Sequence, residues 1–309
     1  TVPRVERAEE GYCSLCSVGC PVEFRYHGSL LTRVVPRFAN RMNGERSEGG
    51  RLCLKGRFEH AFLNDGQPES PLDGKGKRID WKRAGQLLES ALKESSRPLV
   101  RLSPYLAAEV LDRVLSFARD RKIPVEAAGL QKLDPGWVGI LAGNDGEAGP
   151  KLFEKKTEGH RLLILLQGLE EANNVAFSEC LAMAREEDAT LWHVGELKAV
   201  YRRFFESCFP DVGAMEDVLA RARKAGAERI DVLLNPEMIV KLNGKKKEKA
   251  VLQALESASQ PANVTLFWNS RNAAYLLRSL QGSGASKRKS DLLLQVGPEP
   301  AFHSSTDCR

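Results

Sequence analysis

Four of the seven cysteines lie near the start of the chain, in the pattern Cys13-x2-Cys16-x3-Cys20-x32-Cys53. Three clustered thiols and one distant thiol suit a cubane iron–sulfur cluster, because a tight loop can hold three irons while a returning segment supplies the fourth ligand. Structural zinc more often uses two short pairs of ligands. Cys53 has no neighbouring cysteine, and His60 is farther away than the usual spacing. The spacing favours a cluster, and zinc or unliganded core cysteines stay open as alternatives.

Composition places the chain among ordinary globular proteins. The 309 residues carry a net charge of +5 from 46 basic and 41 acidic side chains, which does not call for a nucleic-acid partner. No apolar run approaches the roughly 18 residues that span a bilayer, and the polar N-terminus is unlike an export signal. Seven cysteines, an odd number in a large chain, fit a reducing compartment. We therefore expect a cytoplasmic protein that reaches a membrane only through a partner.

The sequence divides into an N-terminal domain (residues 1–63), a linker rich in Gly, Pro and Asp (64–78) and a longer region (79–309). In the N-terminal domain, Val22, Phe24 and Tyr26 alternate with polar residues before a His27-Gly28-Ser29 turn, which predicts a β-hairpin. In the third, helices alternate with short strands that are apolar on both faces, which predicts a mostly parallel, Rossmann-like α/β region. The predicted strands are 98–103, 123–129, 161–168, 189–195, 229–235, 262–269 and 290–297, and the predicted helices are 80–95, 107–122, 173–187, 214–226, 247–258 and 271–281.

Two stretches, "GYCSLCSVGCPVEFRYHGSLLTRVVP" and "GRLCLKGRF", resemble the N-terminal iron–sulfur domain of the molybdopterin oxidoreductases. The likeness is to formate dehydrogenase catalytic subunits and to the large iron–sulfur subunit of NADH:quinone oxidoreductase. "PESPL" and "RIDWKRAGQLL" are similar to the family's continuation. The resemblance implies a [4Fe–4S] cluster on Cys13, Cys16, Cys20 and Cys53. It also implies that Lys55 lies beside the cluster and takes part in electron transfer.

The family pattern breaks in the longer region. Catalytic members are several hundred residues longer and have a C-terminal barrel that helps to clamp a pterin cofactor. They also present a metal-ligating Cys, selenocysteine or Asp after the second strand of the α/β part, whereas here Asp134 is the only carboxylate between Gly129 and Asp145. A carboxylate before Pro135 has a structural reason in a turn. We therefore expect a truncated family member with no molybdenum or tungsten pterin and no catalytic or cofactor-binding residues of its own.

The other three cysteines offer no second metal site. Cys180 falls on the buried face of a predicted helix, Cys208 near a helix end and Cys308 at the C-terminus, where packing explains them.

The resulting prediction is an iron–sulfur electron-transfer and scaffold subunit of a multi-subunit oxidoreductase. Expected partners are flavin, ferredoxin-like, hydrogenase or heterodisulfide-reductase-type subunits. One alternative is a small catalytic subunit of the formate or formylmethanofuran dehydrogenase type, sharing a pterin with another chain. The other is a structural assembly protein with zinc at the four thiols.

Overall fold

The computed structural model describes residues 5–37, 52–64, 70–130, 133–143, 160–186, 189–257, 262–269, 272–280 and 290–296. Its N-terminal sheet is antiparallel and contains β1 (Arg7–Tyr12), β2 (Pro21–His27) and β3 (Leu30–Pro36), in that order. The predicted hairpin is confirmed as β2 and β3, joined at Gly28, whose φ of 56° is in the left-handed region that favours glycine. Strand β1 was not predicted, because an exposed strand of polar residues has no hydrophobic alternation.

A short helix, α1 (Leu54–Phe58), and a 3-10 helix (Glu59–Asn64) follow the N-terminal sheet. Asn64 attaches this segment to β3, since its amide accepts from Leu31 N at 2.7 Å and donates to Leu31 O at 2.9 Å. The residues after Cys53 are thereby held against the N-terminal sheet.

The remaining elements alternate between strand and helix, as predicted. The strands are β4 (Pro98–Leu102), β5 (Val125–Ala127), β6 (Arg161–Leu166), β7 (Ala189–Val194), β8 (Ser207–Phe209), β9 (Arg229–Leu234), β10 (Asn263–Leu266) and β11 (Leu292–Val296). The helices are α2 (Trp81–Glu94), α3 (Ala108–Asp120), α4 (Gly136–Gly143), α5 (Leu169–Ala172), α6 (Asn174–Glu186), α7 (Ala199–Arg202), α8 (Met215–Lys224), α9 (Pro236–Glu256) and α10 (Ala273–Ser279), with a 3-10 helix at Val212–Ala214.

These strands form two parallel sheets. The larger has the order β10-β9-β6-β7-β8 and the smaller the order β11-β4-β5. The chain proceeds from β6 outward to β7 and β8, then crosses to the opposite side for β9 and β10. The direction of winding therefore changes between β6 and β9, and their carboxyl ends open on one edge, which we call the carboxyl edge. The predicted α/β class with mostly parallel strands is confirmed.

Strand β6 separates two hydrophobic cores, and all six of its residues are buried. Leu163 and Leu165 point into a core that also contains Cys13, Cys20 and α6. The alternate residues of β6 point into a core shared with the smaller sheet and α9. This alternation follows from the period of two along a strand. It means that one face of the larger sheet packs directly against the cysteine-bearing segment.

Helix α2 begins as predicted, with Asp80 as its N-cap: its carboxylate accepts from Arg83 N at 2.6 Å. No residue of α2 is buried, and Trp81 is 76% exposed. Among the described residues no helix is both long and apolar enough to cross a bilayer.

Two local predictions are corrected by the structure. Cys208 lies in β8 and not near a helix end. The prediction missed this strand because three residues are too few to give a periodic signal. Helix α9 consists of two helical segments separated by Gly244, at φ 74°. The predicted helix 247–258 corresponds to the second segment, and the first segment, which begins at Pro236 after its N-cap Asn235, was not predicted.

Candidate metal centre

The cysteine loop (residues 13–20) is the connection between β1 and β2. The two strands pair up to Tyr12 and Pro21, so Cys13 and Cys20 begin and end the loop at adjacent positions. Cys13 N donates to Cys20 O at 2.8 Å, which closes the loop. Inside it, Gly19 N donates to Cys16 O at 3.3 Å, with Gly19 at φ 59°. Backbone pairing of the strands therefore gathers three thiols in one turn.

Cys53 reaches the cysteine loop through α1. It is the N-cap of that helix, and its sulfur accepts from Gly56 N at 3.4 Å. A Cβ at Gly56 would lie 2.4 Å from Leu52 Cδ1 and 3.5 Å from Cys13 Sγ. A side chain at Gly56 would displace Leu52, so glycine keeps the first turn of α1 packed on Leu52 and beside Cys13. The fourth thiol is thereby brought to the other three.

The four sulfurs act on one another electrostatically. Burial raises the pKa of Cys20 far above its ordinary value, and repulsion from Cys16, Cys13 and Cys53 raises it further. Burial also raises the pKa of Cys16, against the effect of a hydrogen bond from Val18 N. Thiolates this close and this poorly solvated require positive charge among them. Bound metal supplies that charge, so the thiol set fits a metal group.

Among the residues that the structure describes, no three His, Cys, Asp or Glu side chains converge tightly enough for one metal ion. A four-iron cluster does not need such convergence, because each thiolate binds a different iron. His60 is 2% exposed and meets the Phe24 ring edge-to-face, with 5.4 Å between ring centroids. Its pKa is lowered by burial, so it packs as a neutral side chain beside the site.

Lys55 lies on the exposed surface of α1, two residues after Cys53, and its charge lowers the pKa of Cys16. Leu54 and Phe58, on the same helix, are 75% and 70% exposed. The structure thus places a cation and two apolar side chains at the solvent side of the thiols. A role for Lys55 in electron transfer remains a prediction.

The other described residues considered from the sequence lie in elements of the α/β region. Cys180 is fully buried in α6, where burial raises its pKa, and Cys208 is half-buried in β8. Asp134 Oδ1 accepts from Gly136 N at 2.9 Å and so caps the turn before α4. Cys308 lies outside the described residues.

Sequence reasoning missed the contact that docks the cysteine loop on the larger sheet. Ser17 N donates to Trp268 O at 3.0 Å, and Trp268 N donates to Ser17 Oγ at 2.8 Å. Asn173, 1% exposed, donates to Trp268 O at 3.2 Å. The available signal was the position of Trp268 near the carboxyl end of a predicted strand (262–269), where parallel sheets place their functional groups.

The comparisons with known proteins define a class for the site. Residues 7–65 match the family model described as the molybdopterin oxidoreductase Fe4S4 domain. This range contains all four clustered thiols, and the match supports a [4Fe–4S] cluster in this chain. The resemblance inferred from the sequence is confirmed for this domain.

A particular relative is the NADPH-Fe(3+) oxidoreductase subunit alpha of Geobacter sulfurreducens (strain DL-1 / KN400), which is 27% identical over 82 residues. The same subunit from strain ATCC 51573 / DSM 12127 / PCA gives the same identity over the same length. The match covers 26% of this chain and only 9% of the relative. The family model and these relatives support an iron–sulfur electron-transfer role.

Proposed function

We propose that this chain holds one [4Fe–4S] cluster on Cys13, Cys16, Cys20 and Cys53 and serves as an electron-transfer and scaffold subunit of a larger oxidoreductase. The observation that carries the proposal is that the turn between β1 and β2 gathers three cysteines, and the first turn of α1 packs on Cys13, inside a segment that matches an iron–sulfur domain. When bound, the cluster supplies one-electron chemistry.

The protein residues supply position and environment. Paired strands and the first turn of α1 fix the thiols, while the N–H groups of Val18 and Gly56 donate to the sulfurs of Cys16 and Cys53. Such donors stabilise negative charge on sulfur and so tune a cluster's potential. Lys55 adds positive charge at the exposed side, where an incoming electron is stabilised by attraction.

The scaffold part of the proposal rests on the larger sheet. Its strand order, with the change of winding between β6 and β9, supports the Rossmann-like prediction. Sheets of this kind bind nucleotide-like groups at that change of winding. Here Ser17 of the cysteine loop is hydrogen-bonded to Trp268 at this carboxyl edge, so the protein itself fills part of the crevice. This favours a supporting role for the sheet over a pterin site of its own.

A pair of cysteine variants tests the cluster. The wild-type protein, prepared without air, should contain about four irons and acid-labile sulfide per chain and absorb near 400 nm until dithionite is added. Cys53→Ala should lose the iron and the colour. Cys208→Ala is the matched control, since it removes a half-buried thiol that the proposal does not assign to the cluster, and it should keep both. Stoichiometric zinc without sulfide in the wild type would overturn the proposal and favour the structural alternative.

A second candidate is a catalytic subunit that shares a molybdenum or tungsten pterin with another chain. The matched domain's description as part of molybdopterin oxidoreductases favours it. Elemental analysis of the complex purified from its native source separates the two candidates. Stoichiometric molybdenum or tungsten would support the second, and iron with co-purifying redox subunits alone would support the first.

A further inference from the structure

Glu237, in the first turn of α9, is a buried carboxylate at the carboxyl edge. It is 6% exposed and accepts from Asn269 N at 2.8 Å and from Asn269 Nδ2 at 3.3 Å. Within the part of the chain that the structure describes, no Lys, Arg or His pairs with it. A carboxylate buried without a cation holds a proton more readily than one in water. Burial accordingly raises the pKa of Glu237 to about 7, against the two bonds from Asn269.

A row of three asparagines extends from Glu237 along the carboxyl edge. Asn235 Nδ2 donates to Asn269 Oδ1 at 3.0 Å and to Asn173 Oδ1 at 2.8 Å. Asn235 Oδ1 accepts from Met238 N at 3.1 Å as the cap of α9, so its NH2 group must face the other two asparagines. Asn173 and Asn235 are 1% and 0% exposed. Water therefore does not screen this row of oriented amides.

The asparagine row ends at the cysteine loop. Asn173 Nδ2 donates to Trp268 O at 3.2 Å, and Ser17 N donates to the same oxygen at 3.0 Å. Ser17 is 8% exposed and directly follows Cys16, one of the proposed ligands. Glu237 and the proposed cluster therefore adjoin one continuous, buried layer of hydrogen bonds. Charges on the two sides of such a layer act on each other with little screening.

The other titratable groups near Glu237 do not take its place as a proton acceptor. Tyr105, in the loop after β4, donates from its hydroxyl to Asn269 O at 3.4 Å. Burial and the charge of Glu237 raise the pKa of Tyr105 to about 12, so the phenol stays neutral. Glu59, which also acts on Tyr105, is exposed on the 3-10 helix after α1, and Lys241, one turn further along α9, is exposed as well.

We propose that Glu237 is a proton-binding site linked to the cluster: its carboxylate takes up one proton from water when the cluster takes up one electron from a one-electron donor. The inference rests on the proposed function. An added electron makes the cluster more negative, and the charge of an ionised Glu237 across the buried layer repels it. Protonation removes that charge. Reduction and proton uptake therefore favour each other by the same factor.

Potentiometric titration of the reconstituted full chain at several pH values tests the linkage. From about pH 6.5 to about pH 8.5 the equilibrium constant for reduction of the wild type should fall by up to about tenfold, a potential lower by about 59 mV for one electron. The buried His60, whose pKa is lowered, stays neutral over this range and adds no slope. Glu237→Gln is neutral at every pH and should keep a potential near the low-pH value of the wild type throughout.

Glu248→Gln is the matched control, because it removes a buried carboxylate from the same helix. Glu248 is 1% exposed in the second segment of α9, where it accepts from Asp134 N at 2.8 Å and from Trp137 Nε1 at 2.9 Å. It therefore belongs to the contact between α9 and α4. Glu248→Gln should keep the pH dependence of the wild type, whereas a slope that persists in Glu237→Gln would overturn the inference.

An infrared readout identifies the proton itself. The reduced-minus-oxidised difference spectrum of the wild type should show the carbonyl band of a protonated carboxyl group, which shifts with 13C-labelled glutamate and is absent in Glu237→Gln. If Glu237→Gln fails to hold a cluster, the wild-type potential and this band decide. A potential independent of pH, with no such band, would overturn this inference and leave the proposed function standing. Absence of any cluster in the wild type would overturn the proposed function itself.

Discussion

The cysteine-bearing N-terminal region and the larger parallel sheet are stabilised in different ways. In the sheet, β6 is buried on both faces along its whole length. In the N-terminal region, β1 is almost wholly exposed, and the buried residues gather around the thiols and their contact with the sheet. Apolar burial alone can hold the sheet. We expect the N-terminal region to depend on the proposed cluster and on docking, and four predictions test this contrast, from the largest effect to the smallest.

Removing the metal should loosen one region and leave the other intact. In the metal-free protein, amides of residues 12–20 and 52–58 should exchange at least about 10⁴-fold faster, since this factor needs about 5.5 kcal/mol and structural metal sites supply about 10 kcal/mol in small domains. Amides of β6 should be unaffected. Hydrogen exchange with mass spectrometry makes the comparison. Equal acceleration in both regions would show that they unfold as one unit.

Asp231→Ala should destabilise the sheet strongly. Asp231 is fully buried at the start of β9 and bonds Arg161 Nε at 2.5 Å and Arg229 Nη2 at 2.9 Å. Its loss leaves buried Arg161 without that partner, at a cost of about 3–5 kcal/mol in the free energy of unfolding, measurable with urea. Glu89→Ala removes an exposed pair with Arg121 and should cost under about 1 kcal/mol. Equal effects would contradict the buried character of the site.

His193, fully buried on β7, should make the sheet sensitive to acid. Burial lowers its pKa to about 4, from an ordinary value near 6.5, with a bond to the Gly195 backbone opposing the shift. As the pH falls from about 6.5 to about 4, the unfolded state gains a proton that the folded state refuses, so stability is lost by up to about 3 kcal/mol.

The measurement is the difference in unfolding free energy between the wild type and His193→Leu at each pH. That difference should shrink or change sign as the pH falls through this window. Leu191→Val, on the same strand, exchanges two side chains that do not titrate, so it is the control and should give a nearly constant difference. A constant difference for His193→Leu as well would show that the imidazole is not shielded.

Asp80→Ala should have the smallest global effect. Removing an N-cap costs a helix about 1 kcal/mol, but α2 has no buried residue to transmit that cost to either core. Faster amide exchange should be confined to the first turn of α2, with the urea midpoint nearly unchanged. Lys82→Ala, in the same turn, should leave the exchange as it is. A drop in global stability would mean that α2 is coupled to the sheets.

The sequence alone could predict those features that depend on neighbours along the chain. The apolar strands β6, β7 and β9 follow from short runs of residues that are buried on both faces, and the start of α2 follows from Asp80. The grouping of Cys13, Cys16 and Cys20 is equally local, since one turn between paired strands brings them together. The spacing pattern indicated Cys53 as the fourth thiol, and the resemblance of its surrounding motif to a known one supported that interpretation.

Tertiary structure decided what depends on segments far apart in the chain. The pairing of β4 with β11 joins Leu99 to Leu293, and nothing in the periodicity of either strand indicates its neighbour. The contact of Ser17 with Trp268 arises only when the cysteine loop meets the carboxyl edge. Periodicity records whether a residue is buried. It does not record which distant residue lies opposite, because that partner is selected by the packing of the whole fold.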